Sequence, residues 1–401
     1  MSSETAYPAL YLKRNEDARL RAGHLWVFSN EVDVQRSPLV GFEPGEICVV
    51  CDAQAKPIGI GYVNPNSLIA ARLVNRGIEH ALDRSLLVHK LKVALSLRER
   101  LHAEPYYRLA FGESDGLPGL TLDRYGDVIV AQTTTAGMER LKEDIAAAVV
   151  KVIKPTAIVW KNDGGFRALE QLPEYADIGY GELTAPVVAR EGGLEFGIDP
   201  IGGQKTGWFY DQRANRDLLV PYARGARVLD MFSYLGAWGL RAAAAGASEV
   251  ACVDASASAV EAITRNAQHN SLAERVTAIR ADAFEHLKAL REARERFDVV
   301  ILDPPAFVKR KKDFAEGRIA YRRINEMAMQ ILSRDGILIT CSCSYHMPRA
   351  ALLDAVQQGA RHLDRSVQVL AQLQQAPDHP VHPAIPETDY LKGYICRVLP
   401  S

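Results

Sequence analysis

The chain has 401 residues, of which 48% are hydrophobic and 24% are charged, and its formal net charge is −1. This length exceeds what one compact core supports, so we expect an ordinary globular protein of two or three domains. Because the net charge is close to zero, any contact with nucleic acid must come from local basic patches rather than from the field of the whole molecule.

The sequence carries no sign of secretion or membrane insertion. The N-terminal segment is charged and has no apolar centre, which is not typical of a signal peptide. No segment reaches the roughly 20 apolar residues of a membrane span, and six cysteines are too few for a disulfide scaffold. We therefore expect a cytoplasmic protein without a membrane partner. The single C-x-x-C, Cys48 and Cys51, lacks a second ligand pair, so we expect two core cysteines and no metal.

The first 199 residues predict two small domains. Residues 1–75 contain short apolar strands separated by turns rich in Gly, Pro and Asn, which predicts a small β-barrel. An amphipathic helix over residues 81–101 then leads into an α+β middle domain, residues 76–199. The further elements expected there are strands at 128–133, 157–160, 185–190 and 194–198 and a helix at 138–152.

Residues 200–401 predict a third domain in which strands and helices alternate regularly. The expected strands are residues 228–232, 250–254, 276–281, 297–303, 337–343, 367–373 and 394–399. Strands joined by crossover helices form a doubly wound, Rossmann-like parallel sheet, and seven of them predict the sheet of a class I methyltransferase.

The strand that ends at Asp303 is buried on both faces and is followed by Pro304, Pro305, Ala306 and Phe307. The prolines stop the strand at the carboxyl edge of the sheet, where open α/β folds bind their ligands. An acid, a stiff carbonyl and an aromatic ring at this edge suit a planar nucleobase. A strand end capped by proline is the simpler alternative.

The turn after the first strand of this sheet predicts the cofactor. Asp230, Phe232, Gly236 and Gly239 form D-x-F-x-x-x-G-x-x-G, which is typical of S-adenosylmethionine loops and lacks the G-x-G-x-x-G of dinucleotide sites. The glycines would admit the methionine part of the cofactor. Asp230 would bind its ammonium group directly or through water.

Acids also follow the next two strands. Asp254 is placed to bind the ribose hydroxyls, and Asp282 to bind the adenine amino group. Four strands that each end on an acid favour a cofactor site over coincidence. Upstream, the glycine-rich and aromatic segment 202–213 suits a loop over the cofactor, in which Lys205 and Arg213 could bind its carboxylate. An interdomain linker is the alternative.

Two thiols, Cys341 and Cys343, lie two residues apart near the end of the predicted strand beside Asp303. A thiolate there, close to a methyl donor, suggests addition to carbon 6 of a cytosine, which makes carbon 5 nucleophilic. His346 and the basic run 309–312 are candidates for lowering the thiol pKa. Ordinary core cysteines are the alternative.

The chain resembles the large-subunit ribosomal RNA methyltransferase I family over essentially its whole length. The resemblance rests on residues 25–31, 112–120, 123–125, 203–207, 211–213, 303–305 and 341–344. It implies an N-terminal PUA domain, S-adenosylmethionine as cofactor, a cytosine of 23S ribosomal RNA or of a large-subunit precursor as target, and a homodimer. It places Cys343 at the nucleophile. Many related enzymes have a cysteine that helps to release the product where this chain has Ala306. The resemblance therefore does not identify the general base or the group that releases the product, and Cys341, Asp303 or a water molecule could serve.

The expected site residues follow from the motifs and the resemblance together. Those expected to be catalytic are Cys343, Asp303 and Cys341. Those expected at the cofactor are Gln204, Lys205, Thr206, Gly207, Phe209, Asp211, Arg213, Asp230, Phe232, Ser233, Gly236, Asp254, Ala255, Asp282, Ala283 and Asp303. Those expected at the RNA are Pro304, Pro305, Phe307, Lys309, Arg310 and Arg322.

Two other functions fit the same sequence. The Asp-Pro-Pro-aromatic turn also suits methylation of an exocyclic amine of adenine or guanine, which needs no cysteine. A non-catalytic RNA-binding factor for ribosome assembly would need neither the thiol nor a working cofactor site. The intact acids and glycines favour an enzyme.

Overall fold

The computed structural model describes residues 7–401, which cluster into two compact units. The first unit comprises residues 7–187, Ile198–Tyr210 and Pro377–Thr388, and the second comprises Val188–Gly197, Asp211–Ala376 and Asp389–Ser401. The two N-terminal domains of the predicted three therefore share one unit. Their boundary at residue 75 stays a prediction.

The N-terminal sheet of the first unit has five strands. They are β1 (Ala9–Tyr11), β2 (Trp26–Phe28), β3 (Glu46–Cys51), β4 (Pro57–Val63) and β5 (Ile69–Asn75). Their order is β1-β3-β4-β5-β2, and one bridge between Leu12 and Val32 connects the two edge segments, so the sheet curls into a half-barrel. The short helix α1 (Ala18–Arg21) precedes β2. Both cysteines of the C-x-x-C are buried in β3, as predicted.

The middle sheet is antiparallel except for one parallel pair, β8 and β9. Its strands are β6 (Tyr106–Phe111), β7 (Leu120–Tyr125), β8 (Val128–Thr133), β9 (Ala157–Asn162) and β10 (Tyr175–Gly181), in the order β10-β9-β8-β7-β6. The helices are α2 (Arg84–Leu101), α3 (Ala136–Arg140) and α4 (Lys142–Ile153). Leu87 and Leu91 of α2 and Ile145 and Val149 of α4 join the core of this sheet.

Polar contacts tie the parts of the first unit together. The hydroxyl of Tyr62 on β4 donates to the carbonyl oxygen of Pro118 at 2.6 Å. The fully buried Arg98 of α2 forms two hydrogen bonds to Asp115, at 2.6 and 2.7 Å, and donates to the carbonyl oxygen of Asp378 at 2.7 Å. The segment 377–388 is thereby fixed to the middle sheet.

The second unit contains a hairpin and the predicted seven-stranded sheet. The hairpin pairs β11 (Val187–Glu191) with β12 (Leu194–Ile198). The sheet contains β13 (Arg227–Met231), β14 (Glu249–Asp254), β15 (Val276–Arg280), β16 (Phe297–Leu302), β17 (Leu332–Ser342), β18 (Arg365–Gln374) and β19 (Lys392–Pro400). The helices are α5 (Arg213–Ala223), α6 (Ala237–Ala244), α7 (Ala257–His269), α8 (Ala283–Glu292), α9 (Phe314–Ile331) and α10 (Arg349–His362).

The order of the large sheet is β15-β14-β13-β16-β17-β19-β18, with β19 antiparallel to both of its neighbours. The strand order reverses at β13, since β14 and β15 are added on one side of it and β16 and β17 on the other. The carboxyl ends of the parallel strands on either side of such a point form the crevice in which these folds bind ligands. The predicted α/β fold class is confirmed. Within residues 7–401, none of the helices combines the length and the hydropathy of a membrane-spanning segment.

Candidate active site

Asp230 lies near the end of the central strand β13 and is completely buried. Its Oδ2 accepts a hydrogen bond of 3.0 Å from the backbone N–H of Gly239, in the first turn of α6. Its Oδ1 is buried and has no hydrogen-bond partner among residues 7–401. Burial raises the pKa of Asp230 to about 7, although the Gly239 N–H lowers it. A buried carboxyl with one unused oxygen is suited to a cationic group of a ligand.

The loop between β13 and α6 holds strained backbone. Phe232 and Tyr234 have φ values of +62° and +51°, a left-handed region that side chains of this size rarely adopt. Ser233 lies between these two residues and fixes the loop. Its hydroxyl donates to the carbonyl oxygen of Asp230 at 2.7 Å, and its backbone N–H donates to the carbonyl oxygen of Val253 at 3.0 Å. Such strain is stored where a loop shape serves a ligand.

The glycines of this loop serve packing, a role the sequence did not predict. A Cβ on Gly239 would lie 2.2 Å from Sγ of Cys252 on β14, and one on Gly236 would lie 2.7 Å from Cδ1 of Leu240. Gly236 also has a φ of +82°. Gly239 therefore lets α6 pack against the sheet, which holds its N–H against Asp230, and Gly236 allows the left-handed turn that begins the helix.

The next two strand ends carry acids that bind backbone groups. Asp254 accepts from the N–H groups of Tyr234 and Ser256, both at 2.9 Å, and so joins two loops. Asp282 is exposed and caps α8 by accepting from Phe284 and Glu285 at 2.9 and 3.1 Å. Ala255 is exposed and Ala283 is buried. The cap explains Asp282 without a ligand, and its contact with adenine stays a prediction.

Asp303 follows β16, and two side chains from other elements hold its carboxylate. Gln212 donates to Oδ1 at 2.9 Å, and the indole N–H of Trp238 donates to Oδ2 at 3.0 Å. Gln212 in turn accepts from Asn215 at 2.6 Å. Burial raises the pKa of Asp303 to about 6, while the Trp238 hydrogen bond lowers it. Asp303 therefore changes its charge close to neutral pH.

The two candidate thiols have different surroundings. Cys341 lies inside β17 with no exposed surface, and burial raises the pKa of its thiol far above the ordinary value, with a further contribution from Asp303. Cys343 follows the last residue of the strand and is half-buried, and its Sγ lies 4.0 Å from the carbonyl oxygen of Pro304. The geometry thus favours Cys343 as the thiol that reaches a ligand.

A hydrogen-bond network supports the backbone around Cys343. The hydroxyl of Tyr321 on α9 bonds to Ser342 at 2.8 Å and to Ser344 at 3.0 Å. Ser344 also accepts from the N–H of Val308 at 3.1 Å, which connects this strand end to the loop after Asp303. Lys392, the first residue of β19, donates to the carbonyl oxygen of Ser344 at 2.7 Å.

The residues of segment 202–213 that were expected to bind the cofactor are divided between the two units. Gln204, Lys205, Thr206, Gly207 and Phe209 belong to the first unit. There the hydroxyl of Thr206 donates to Asp123 at 2.5 Å and Lys205 lies 4.8 Å above the ring of Phe209. Their contact with the cofactor stays a prediction.

Asp211 and Arg213 belong to the second unit, where both have structural partners. Asp211 accepts from the hydroxyl of Tyr390 at 2.5 Å, and the guanidinium of Arg213 lies 3.7 Å from the carboxylate of Glu191. Glu191 also forms a buried bidentate ion pair with Arg216. These pairs fix the start of α5, from which Gln212 reaches Asp303.

The residues predicted to bind RNA follow Asp303 or lie on α9. Pro305 and Lys309 are exposed, whereas Pro304 is buried. The ring of Phe307 packs 4.8 Å from that of Tyr321. The two arginines have partners: Arg310 forms an ion pair with Asp313 at 3.0 Å, and Arg322 lies 3.5 Å from Glu326. Two of the three positive charges expected at the RNA are therefore paired with acids of the protein itself.

Comparisons with known proteins identify the family. The chain is 36% identical to the ribosomal RNA large subunit methyltransferase I of Photobacterium profundum, over 97% of this chain and 99% of that protein. It is also 36% identical to the protein of the same name from Aeromonas hydrophila, again over 97% and 99%. The chain belongs to the ribosomal RNA large subunit methyltransferase I family. The resemblance seen in the sequence is confirmed.

Domain and structure comparisons agree with this assignment. The PUA-like domain family matches residues 10–76, and the family described as conserved hypothetical protein 95 matches residues 212–349. A crystal structure of a protein assigned as a methyltransferase, complexed with SAH, superposes with a TM-score of 0.83 at 21% identity, covering 97% of this chain and all of that one. A structure described as a SAM-dependent methyltransferase from Streptococcus mutans gives a TM-score of 0.81 at 20% identity with the same coverage. These likenesses show the shared fold.

Three residues of the site were not predicted from the sequence. Gln212 and Trp238 hold Asp303, and Lys392 binds the strand end that carries Cys343. Gln212 lies between two residues that were predicted, so its position was a usable signal. Lys392 lies about fifty residues beyond Cys343, and nothing local in the sequence connects the two.

Proposed function

We propose that this protein forms 5-methylcytosine in 23S ribosomal RNA or in a large-subunit precursor, with S-adenosylmethionine as methyl donor and Cys343 as nucleophile. Family membership supports methyl transfer to large-subunit ribosomal RNA. The observation that carries the cytosine chemistry is the position of Cys343, half-buried and 4.0 Å from the carbonyl oxygen that follows Asp303.

The residues around β13 fit the cofactor. The unused, buried Oδ1 of Asp230 suits the ammonium group of its methionine part. Each oxygen of Asp254, at the end of the adjacent strand, accepts one backbone N–H and can accept a second hydrogen bond from a ribose hydroxyl. Bound there, the cofactor supplies an electrophilic methyl group on a sulfonium. A cation beside Asp230 favours the charged carboxylate, which burial otherwise disfavours.

Cys343 would act as a thiolate. Its sulfur forms a bond to carbon 6 of the cytosine, and the electrons of the 5,6 double bond move to carbon 5, which takes the methyl group. A base then removes the carbon 5 proton, the double bond re-forms, and the sulfur leaves as thiolate. Cys341 is not suited to this attack, because it is fully buried and its pKa is raised.

Asp303 would hold the Watson–Crick edge of the cytosine. Its carboxylate is oriented by Gln212 and Trp238, and a raised pKa of about 6 lets it bind either as an acceptor for the amino group or as a donor to the ring nitrogen. The exposed Lys309 would contact phosphate beside this pocket.

Methyl transfer to unmodified 23S ribosomal RNA, followed by nucleoside analysis, tests the proposal. Wild type should produce 5-methylcytosine, and Cys343→Ala should produce none. Cys341→Ala is the matched control, since it removes a thiol two residues away that the proposal does not require as nucleophile. Activity retained in Cys343→Ala, or a methylated exocyclic amine as product, would contradict the proposal.

The adduct itself can be trapped. RNA that contains 5-fluorocytidine has no carbon 5 proton to lose, so the bond between sulfur and carbon 6 persists and the complex survives denaturing electrophoresis. We expect a cross-linked species in wild type and in Cys341→Ala but none in Cys343→Ala.

A further inference from the structure

Lys392 is a buried lysine at the strand end that carries Cys343. It is 5% exposed, and in the antiparallel pairing of β17 and β19 it lies opposite Ser342. Its Nζ donates to the carbonyl oxygen of Ser344 at 2.7 Å. The ammonium group of Lys392 therefore binds the residue that follows Cys343, and the backbone of Lys392 pairs with the residue that precedes Cys343.

A neutral carbonyl compensates little of the cost of burying an ammonium group. Three charged or titratable groups act on Lys392: Asp389, Cys343 and Arg349. Asp389 is exposed, so solvent weakens its influence. Arg349 opposes the charge of Lys392, and its guanidinium donates to the carbonyl oxygen of Gly393 at 3.3 Å. An anionic sulfur at Cys343 would be the half-buried counter-charge.

We propose that Lys392 is a positioning residue that stabilises the negatively charged sulfur of Cys343 and fixes the strand end that presents it. The inference rests on the proposed role of Cys343 as nucleophile. Lys392 needs to give no proton: the thiol proton leaves to solvent on ionisation, and the sulfur returns as thiolate when product is released. The positive charge favours both the attacking and the leaving form of the sulfur.

The effect has a defined pH range. Burial lowers the pKa of Lys392 to about 8, so the side chain is charged below that pH and becomes neutral above it. Its stabilisation of the thiolate is therefore present at neutral pH and fades above pH 8. A variant without the charge should differ most from wild type near pH 7.

Alkylation of Cys343 by iodoacetamide, followed by mass spectrometry of its peptide across pH 6 to 10, tests the inference without RNA or cofactor. Lys392→Gln keeps a donor for the Ser344 carbonyl but removes the charge. We expect its alkylation at pH 7 to be about tenfold slower than that of wild type, with the midpoint of the rate profile about one pH unit higher. Lys392→Arg, which keeps the charge, should stay within about threefold of wild type.

Lys288 is an exposed lysine on α8. Lys288→Met is therefore the control variant and should not change the pH profile of Cys343 alkylation. Lys392→Met repeats the test should Lys392→Gln fail to fold. A Lys392→Gln profile that superimposes on that of wild type would overturn the inference. In methyl transfer, Lys392→Gln should lower kcat at pH 7 with little change in KM for RNA, and part of the loss should be recovered at pH 9.

The 5-fluorocytidine trap separates this inference from the proposed function. Absence of a cross-link in wild type would disprove the role of Cys343, whatever the alkylation profiles show. A cross-link in wild type together with identical alkylation profiles would disprove only the role of Lys392.

Discussion

Replacing Asp230 with asparagine tests whether burial of this carboxyl group destabilises the fold at neutral pH and whether the group binds the cofactor. Burial raises the pKa of Asp230 from 3.8 to about 7. The folded state therefore binds more protons than the unfolded state between these values, so wild type loses stability as the pH rises from about 4 to 7. Linkage over the interval from pH 5 to pH 8 gives a loss of about 2.5 kcal/mol from this group.

Asparagine does not titrate, and its amide oxygen can still accept from the Gly239 N–H. Urea denaturation of both proteins at pH 5 and pH 8 measures the effect. We expect the stability of Asp230→Asn relative to wild type to improve by about 2.5 kcal/mol between the two pH values. Acids that do not act on Asp230 titrate alike in both proteins and cancel in the comparison, whereas Asp303 raises the pKa of Asp230 through its charge and is part of the measured difference.

The same variant should bind S-adenosylmethionine more weakly. Loss of a hydrogen bond to a charged group costs about 1.5–3 kcal/mol, or roughly a 10- to 100-fold change in affinity. Isothermal titration calorimetry should show this loss, and wild-type affinity should rise with pH up to about 7 as Asp230 ionises. A stability difference that is the same at both pH values would refute the reasoning about burial, and unchanged affinity would refute the contact with the ammonium group.

Further predictions concern Asp303, the first unit and the assembly. Trp238→Phe removes the 3.0 Å hydrogen bond that lowers the pKa of Asp303, so the limb of the pH–rate profile that reports Asp303 should move up by about one to two pH units; a profile in which neither limb moves would exclude Asp303 as a titrating group. Asp115→Asn leaves the buried Arg98 without its counter-charge and should lower the free energy of unfolding by about 3–5 kcal/mol in urea denaturation, and a change below about 1 kcal/mol would contradict this. Sedimentation should give twice the chain mass of 44.2 kDa if the expected homodimer forms, and the mass of one chain if it does not.

Periodicity predicted the large sheet well and the small strands poorly. All seven strands of the doubly wound sheet were expected, because most of them are apolar runs and those from β13 to β18 alternate with helices. Five smaller strands were missed, namely β1, β2, β6, β7 and β10. The first two have only three residues each, β10 is mostly exposed, and β6 and β7 border a segment, residues 111–120, that was predicted to be a loop. Pairing with their neighbours makes these segments strands.

Part of the candidate site could be predicted, because parallel strands bring their carboxyl ends to one edge. That geometry placed Asp230 and Asp303 correctly at neighbouring strand ends. What the sequence could not provide was the partner of each group. Trp238 donates to Asp303 from a helix start 65 residues earlier, and Lys392 pairs with a strand 50 residues earlier in the chain. Contacts of this kind depend on tertiary packing.

The four acids at this edge differ in the groups that they bind, and that difference assigns their chemistry. Asp254 and Asp282 accept backbone N–H groups and shape loops. Asp230 is fully buried and Asp303 is half-buried, and burial raises their pKa values to about 7 and 6. An acid poised there ionises readily when a cation arrives and keeps its proton when a ring nitrogen can accept a hydrogen bond from it. Asp230 therefore suits the positively charged cofactor, and Asp303 suits the neutral base beside Cys343.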